Sequence, residues 1–355
     1  MKVVAFSEFG AAPEVTDIEV PQPAAGEVRV KVHAASVNGF DLSVASGRLE
    51  GMMEHRFPVV LGKDFAGIVD AVGEGVTGFN INDRVFGVVT KDFLGDGSFA
   101  EYVTVPVAVG IAKLPEGIDF TEAAGLGLAG TAAVDAFDAA AVQPGETVLI
   151  AGATGGVGQQ AVQLAVKAGA VVIATASSDE EKALVTALGA AHTVDYKGDV
   201  TEQVEAITEG GVDVVLNFAG DPATAVTAAK TGGRFVSTLI MSADQVTAEG
   251  VQIFPIYATP SEATLERLAK NQAEKHTTVT VQQVFDLDQT SDAFAAFGAG
   301  TLGKLVVTIN SHHHPLRGPG TGPRAPTKER HHGTRSVLTH RHQPRQRRHR
   351  RQPDR

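Results

Sequence analysis

The chain has 355 residues, 43% hydrophobic and 20% charged, a balance that suits a soluble globular protein of two domains and excludes a wholly disordered one. It holds no cysteine, which excludes disulfides, cysteine-ligated zinc and a cysteine nucleophile together. The net charge of −11 is unevenly divided: residues 1–310 carry 18 Lys and Arg against 39 Asp and Glu, whereas residues 311–355 carry 12 against 2, so a boundary is expected near Asn310.

In chain order, MKVVAFSEF enters a strand pattern with no signal peptide, and the mildly apolar residues 123–142 carry Asp135 and Asp138. No membrane span is expected, and the location expected is cytoplasmic. Residues 1–121 read as many short strands. Val28, Val30, Val32 and Ala34 alternate with Arg29, Lys31 and His33, the period of a strand with one buried face. Residues 64–73, 83–89 and 98–105 repeat it between Gly, Asn and Asp turn signals. A β-rich, barrel-like domain is expected. Two loops interrupt it: residues 35–47, with Asn38, Phe40 and Asp41, and residues 48–57, whose Met52, Met53 and His55 suit either a cleft lining or a plain surface loop.

From Thr121 the composition turns to Ala-rich helix, and Pro144-Gly145 introduces TVLIAGATGGVG at 147–158. Val148 to Ala151 form an uncharged run that suits a strand buried on both faces. Gly152, Ala153, Thr154, Gly155, Gly156, Val157 and Gly158 follow at once, and then a helical pattern with Val162, Ala165 and Val166. Strand, glycine turn and helix in succession is the context that lets a diphosphate reach backbone N–H groups at a helix start, where any Cβ would hold it away. The spacing is G-x-x-G-x-x-G, with Ala153 where the usual fingerprint has its second glycine. A tight turn that binds nothing is the other reading.

Strands are expected at 171–175, 193–194, 213–218, 234–239 and 251–256, with helices at 179–188, 200–208 and 222–230 between them. This alternation predicts a doubly wound parallel sheet with a nucleotide at its carboxyl ends. A helix at 261–275, a strand within 279–287, a helix at 291–297 and a strand at 304–309 complete the patterned part. Residues 311–355 are rich in Arg, His, Pro and Gly and are expected to be a disordered basic tail. It suits a read-through or out-of-frame extension. Runs such as Arg347-Arg348-His349-Arg350-Arg351 also suit phosphate, so a nucleic-acid-binding tail is the competing reading. The acidic body argues against nucleic acid there.

Enzymes that choose NAD place an acid at the end of the second strand, on the ribose hydroxyls. Here that position holds Ala176, followed by Ser177 and Ser178, with Lys182 and Tyr196 nearby. Hydrogen bonds to a charged group contribute about 1.5–3 kcal/mol each, so these donors predict NADPH as cofactor. Ser178 also opens an S-x-x-E capping box with Glu181, and the neighbouring Asp179 keeps NAD open.

Taken together, SVN with Asp41 (36–41), LGKDFAGIVDAVGEGVTGFNINDRVFG (61–87), GSFAEYVTVP (97–106), AGATGGVG (151–158), VDVVLNFAG (212–220) and GKLV (303–306) resemble the zinc-free medium-chain dehydrogenases/reductases, especially quinone oxidoreductases of the zeta-crystallin type. The resemblance covers residues 1–310 and implies an α/β fold with a doubly wound parallel-sheet (Rossmann) domain inserted into a β-rich GroES-like domain. The catalytic domain would be residues 1–121 and 256–310, the nucleotide domain residues 122–255, and the protein a homodimer through residues 251–256. Residue by residue, it implies catalytic roles for Asn38 and Asp41, unless these only brace their loop. Cofactor contacts fall on Phe40, Thr131, the 152–158 turn, Ser177, Ser178, Lys182, Tyr196, Phe218, Ala219, Gly220, Gly303 and Lys304. No metal ligand set is expected: Gly39 and Phe40 stand where zinc relatives carry a ligand Cys, and the body's four histidines, His33, His55, His192 and His276, form no metal-spaced cluster.

The activity so implied is NADPH-dependent, zinc-independent hydride transfer to a quinone or an α,β-unsaturated carbonyl. An enoyl reductase acting on enones or acyl thioesters, and a non-catalytic NADPH-binding protein, structural or nucleic-acid-binding, are the alternatives. A short-chain dehydrogenase is excluded, because Tyr102, Tyr196 and Tyr257 are followed at Tyr-x-x-x-Lys spacing by Pro106, Val200 and Ser261.

Overall fold

A computed structural model describes residues 1–309; the readings made for residues 311–355 lie outside the described residues. The apolar-rich runs of the middle segment form a six-stranded parallel sheet. Its order is His192–Val194, Val171–Thr175, Thr147–Ala151, Val212–Asn217, Ala229–Ser237, Gln252–Pro255. Numbered along the chain this is 3-2-1-4-5-6, the doubly wound order, and its topological switch point lies between Thr147–Ala151 and Val212–Asn217. Val148, Leu149 and Ile150 are fully buried because helices cover both faces of their sheet. On one side lie Gly127–Ala140 and Gly156–Lys167, packed on each other.

The alternating strand Glu27–Ser36 is the centre of the other large sheet. It pairs antiparallel with Asp64–Val72, with Tyr102–Pro106 and, at its end, with Lys304–Thr308. Val28, Val30, Val32 and Ala34 are fully buried, as their period requires. The register places Val306 opposite Ser36 and Thr308 opposite Ala34, so the last described strand returns to the first sheet. A Rossmann domain inserted into a GroES-like domain is therefore the architecture, as the resemblance implied.

Three local expectations change. Residues 35–47 are not an open loop: the strand runs to Ser36, and Gly39–Ala45 is a short helix. Residues 48–57 hold a short strand, Glu54–His55, paired with Phe93–Leu94. The helix expected at 222–230 is only Pro222–Ala225 with one 3-10 turn, Val226–Ala228, and the strand begins at Ala229, where backbone pairing with Val212 takes over.

Candidate active site

The glycine turn sits at the carboxyl end of the first parallel strand. Gly158 admits no side chain: a Cβ there would meet the Gly152 carbonyl oxygen at 2.1 Å. Gly155 differs, since a Cβ would find nothing nearer than 3.7 Å. Helices Asp179–Ala187, Val200–Ile207 and Glu262–Ala273 are each capped by a side chain, Ser178, Asp199 and Ser261. Helix Gly156–Lys167 has glycine at its N-cap, no capping side chain and no acid in its first turn. Its leading N–H groups and dipole are left for an anion brought from outside. The residues present thus fit the diphosphate of a dinucleotide.

Beside this turn lies a buried polar cluster. Gly303, at φ 127°, bridges Gly155, and Lys304 follows it. The Lys304 stem runs so close beneath Gly156 that a Cβ on that glycine would meet Lys304 Cδ at 2.4 Å. The Lys304 ammonium then donates to Asn38 Oδ1 at 2.7 Å and to the Val37 carbonyl at 3.1 Å, and lies 3.7 Å from Asp64 Oδ2. Asp64 is fully buried and well supplied with donors: Ser36 Oγ at 2.6 Å, Asn38 Nδ2 at 2.9 Å and the Leu128 N–H at 2.7 Å.

The Asn38 carboxamide is thus turned away from the helix it precedes. Asn38 and Asp41 have the residue types of a capping box, but only half of it forms, the Asn38 N–H donating to Asp41 Oδ2 at 2.8 Å. Asp41 is buried, and burial lifts its carboxyl to about 7; the Asn38 N–H pulls it back, the Asp64 charge adds, and Lys304 and Lys63 oppose. Burial likewise pushes Lys304 down, against the attraction of Asp64 and Asp41. Lys63, half-buried, is pushed down by burial too; its Nζ donates to the Val89 carbonyl at 2.8 Å and lies 5.0 Å from the centre of the Phe40 ring.

At the far end of the turn, Gly152 N–H donates to Thr175 Oγ1 at 3.0 Å, which ties the turn to the end of the second strand. Ser177, Ser178 and Tyr196 do come together there, but around a carboxylate. Glu181 Oε2 accepts from the N–H groups of Ser177 at 2.5 Å and Ser178 at 3.0 Å, and Glu181 Oε1 from the Tyr196 hydroxyl at 3.0 Å. Burial raises the Glu181 pKa, but these donors and Lys197 outweigh it and hold the carboxyl below its usual range.

Of the residues expected from sequence, Asn38, Asp41, Gly303 and Lys304 gather at one end of the turn, and Ser177, Ser178 and Tyr196 at the other. Phe218 lies at the end of the fourth strand, its N–H on the Ala151 carbonyl, and Ala219 and Gly220 follow it, exposed. Thr131 stands apart: it is fully buried and its hydroxyl donates to Gly127 O at 2.7 Å within its own helix. Ala153 is likewise in the core. Sequence reasoning passed over Asp64, Lys63 and Glu181. The signal for Asp64 was a charge heading the apolar run Phe65 to Val69. Among the described residues no group of three or more His, Cys, Asp or Glu side chains is placed to hold a metal ion.

Residues 24–116 match the model of the alcohol dehydrogenase GroES-like domain, and residues 156–269 that of the zinc-binding dehydrogenase family. A mycocerosic acid synthase-like polyketide synthase from Mycolicibacterium smegmatis is 39% identical over 228 residues, 63% of this chain and 10% of the synthase. The quinone oxidoreductase of Sus scrofa is 36% identical over 225 residues, 61% of this chain and 66% of that protein. The chain therefore spans only part of the length of these curated relatives. The solved quinone oxidoreductase of Coxiella burnetii superposes with a TM-score of 0.79 at 29% identity, covering 87% of this chain and 99% of that one. With the inserted parallel sheet and the glycine turn, these matches establish that the chain belongs to the medium-chain dehydrogenases/reductases, of the quinone oxidoreductase type.

Proposed function

We propose that the chain is a metal-independent oxidoreductase that passes a hydride from a reduced nicotinamide dinucleotide to a quinone or an α,β-unsaturated carbonyl. The observation that carries this reading is Lys304, whose stem underlies the glycine turn while its ammonium rests on Asn38. One side chain thus joins the place that suits a diphosphate to the place assigned to chemistry. The bound dinucleotide supplies the hydride. The turn 152–158 holds its diphosphate through backbone N–H groups.

Asn38 and Asp41, named as catalytic from the sequence, take positioning roles in this proposal. Asn38 spends Oδ1 on Lys304 and Nδ2 on Asp64 and the Ser36 carbonyl, and Asp41 fixes the Asn38 backbone. The charge they hold in place, in surroundings poor in water, favours an acceptor oxygen that gains electron density. A proton from solvent completes the reduction. With no cysteine and no metal-spaced cluster among the described residues, an acceptor that is already electrophilic is the one this chemistry suits. The match to a polyketide synthase favours enones or acyl thioesters within that class.

The domain limits that accompany the proposal are residues 1–121 with 256–310 for catalysis and 122–255 for the nucleotide. The sequence expectation of NADPH rested on the missing acid at Ala176; Glu181 supplies an acid from the next helix, so both dinucleotides enter the assay. A cytoplasmic homodimer is proposed, paired through Gln252–Pro255, which has a sheet neighbour on one side only among the described residues; light scattering in solution decides that point. No described helix is long and apolar enough to cross a membrane. The activity is tested by following oxidation of NADH and NADPH across a panel of quinones, enones and acyl thioesters. Dinucleotide binding without turnover on any acceptor would favour the non-catalytic reading instead.

A further inference from the structure

Gln159 and Gln160 are consecutive in the first turns of helix Gly156–Lys167, and each is only 2% exposed. Gln159 Nε2 donates to the Thr154 carbonyl, inside the glycine turn, at 2.7 Å. Gln160 Nε2 donates at 3.1 Å to the Thr278 carbonyl, just before strand Val281–Asp286 of the other large sheet. A carbonyl can only accept, so each amide keeps its NH2 toward that partner and turns its oxygen the other way. Both oxygens, Gln159 Oε1 and Gln160 Oε1, are buried and have no donor among the described residues. Gln163 does not serve them: its Nε2 goes to the backbone carbonyls of Gln159 and Thr278, and its Oε1 accepts from the Thr278 N–H and hydroxyl. Two buried acceptors without donors would leave their lost hydration uncompensated. Both side chains line one cavity of about 10 Å³, bordered also by Gly156, Thr278, Gly303 and Lys304. That is the size that holds one water molecule.

We propose that this cavity is a binding site for a single ordered water, which gives one hydrogen bond to Gln159 Oε1 and another to Gln160 Oε1. Two acceptors beside one small space call for a ligand with two donors, and water brings two O–H groups. A potassium-like cation also suits oxygen ligands, but Lys304 lines the cavity, and a second positive charge beside it is repelled. The water completes a polar chain that runs from the Thr154 carbonyl through Gln159, the water and Gln160 to the Thr278 carbonyl. It therefore holds the glycine turn against the strand pair that carries Lys304. A bridging water is nearly as good in enthalpy as a direct hydrogen bond.

A high-resolution crystal structure of the full chain, grown with potassium and again with thallium(I), tests the site directly. The expected result is one density peak within hydrogen-bond distance of both Oε1 atoms, with no anomalous signal from thallium. An empty cavity, or a thallium peak, would overturn the proposal. The variant Gln160→Met gives a second measure in solution, by urea unfolding. The Thr278 carbonyl keeps its bond from Gln163 in this variant, so the change falls on the cavity. With the water in place, Gln160→Met strips it of one of two partners, and the unfolding midpoint should drop. A midpoint that stays or rises would mean that an unserved oxygen had been removed, and would overturn the proposal as well. Neither measurement uses a dinucleotide, so the outcome is independent of the function proposed above.

Discussion

Gly155→Ala separates the ligand's requirements from the fold's. Gly155 has φ −76° and ψ 172°, which alanine adopts freely, and the added methyl would find no neighbour nearer than 3.7 Å. The fold should hardly notice: replacing an N-cap glycine with alanine costs a few tenths of a kcal/mol to about 1 kcal/mol. The dinucleotide should notice strongly, because the methyl would stand where a diphosphate approaches the uncapped N–H groups. Losing one charge-assisted hydrogen bond costs about 1.5–3 kcal/mol, which is about tenfold to a hundredfold in Kd. Paired measurements decide it: urea unfolding for stability, and fluorescence titration with NADH and NADPH for affinity. A Gly155→Ala protein that binds both dinucleotides as tightly as the wild type would refute the placement of the diphosphate on this turn. Gly158→Ala makes a useful contrast, since its methyl would strike the Gly152 carbonyl and should damage fold and binding together.

Further outcomes follow from the buried cluster. Lys304→Met keeps the stem and removes the ammonium, leaving Asp64 without its cation. The expected loss is about 3 kcal/mol, the low end for breaking a buried pair, because Ser36, Asn38 and the Leu128 N–H still serve Asp64; urea unfolding reads it, and kcat should fall by more than KM changes. Asp41 has a folded pKa of about 7 against an ordinary value of 3.8, so between these pH values the unfolded chain releases its proton first. Stability of the wild type should therefore fall as pH rises through that window. Asp41→Asn lacks this slope, and unfolding curves for the two proteins should diverge up to about pH 7 and run parallel above it.

The legible parts of the molecule were those where neighbours in sequence are neighbours in space. The strand Thr147–Ala151, its glycine turn and the helix after it are one continuous segment, and residues 27–34 state their own alternation. The active cluster is of another kind: Lys304 meets Asn38 across 266 positions, and only the pairing of the last strand with the end of Glu27–Ser36 brings them together. No local pattern encodes that meeting, and only the family resemblance pointed toward it. Glu181 was read in its local setting alone, as the third residue of a capping box. That reading is correct for the Ser178 N–H, but it cannot see Tyr196, which approaches the same carboxylate from the loop after another strand. Thr131 has the opposite character, since its hydroxyl already has a partner in its own helix, the backbone carbonyl four residues earlier.

The strand Lys304–Thr308 has a consequence for the order in which this protein can be made. Until it leaves the ribosome, Ala34 to Ser36 present open backbone groups on that edge, and Asp64 lacks the Lys304 ammonium. The first sheet can form early in synthesis, yet it keeps an exposed edge, and Asp64 waits for the ammonium of Lys304, while the whole nucleotide domain is being added. A chain halted anywhere before Lys304 should be marked by that open edge as unfinished, open to chaperones and proteases, however well its parallel sheet has folded.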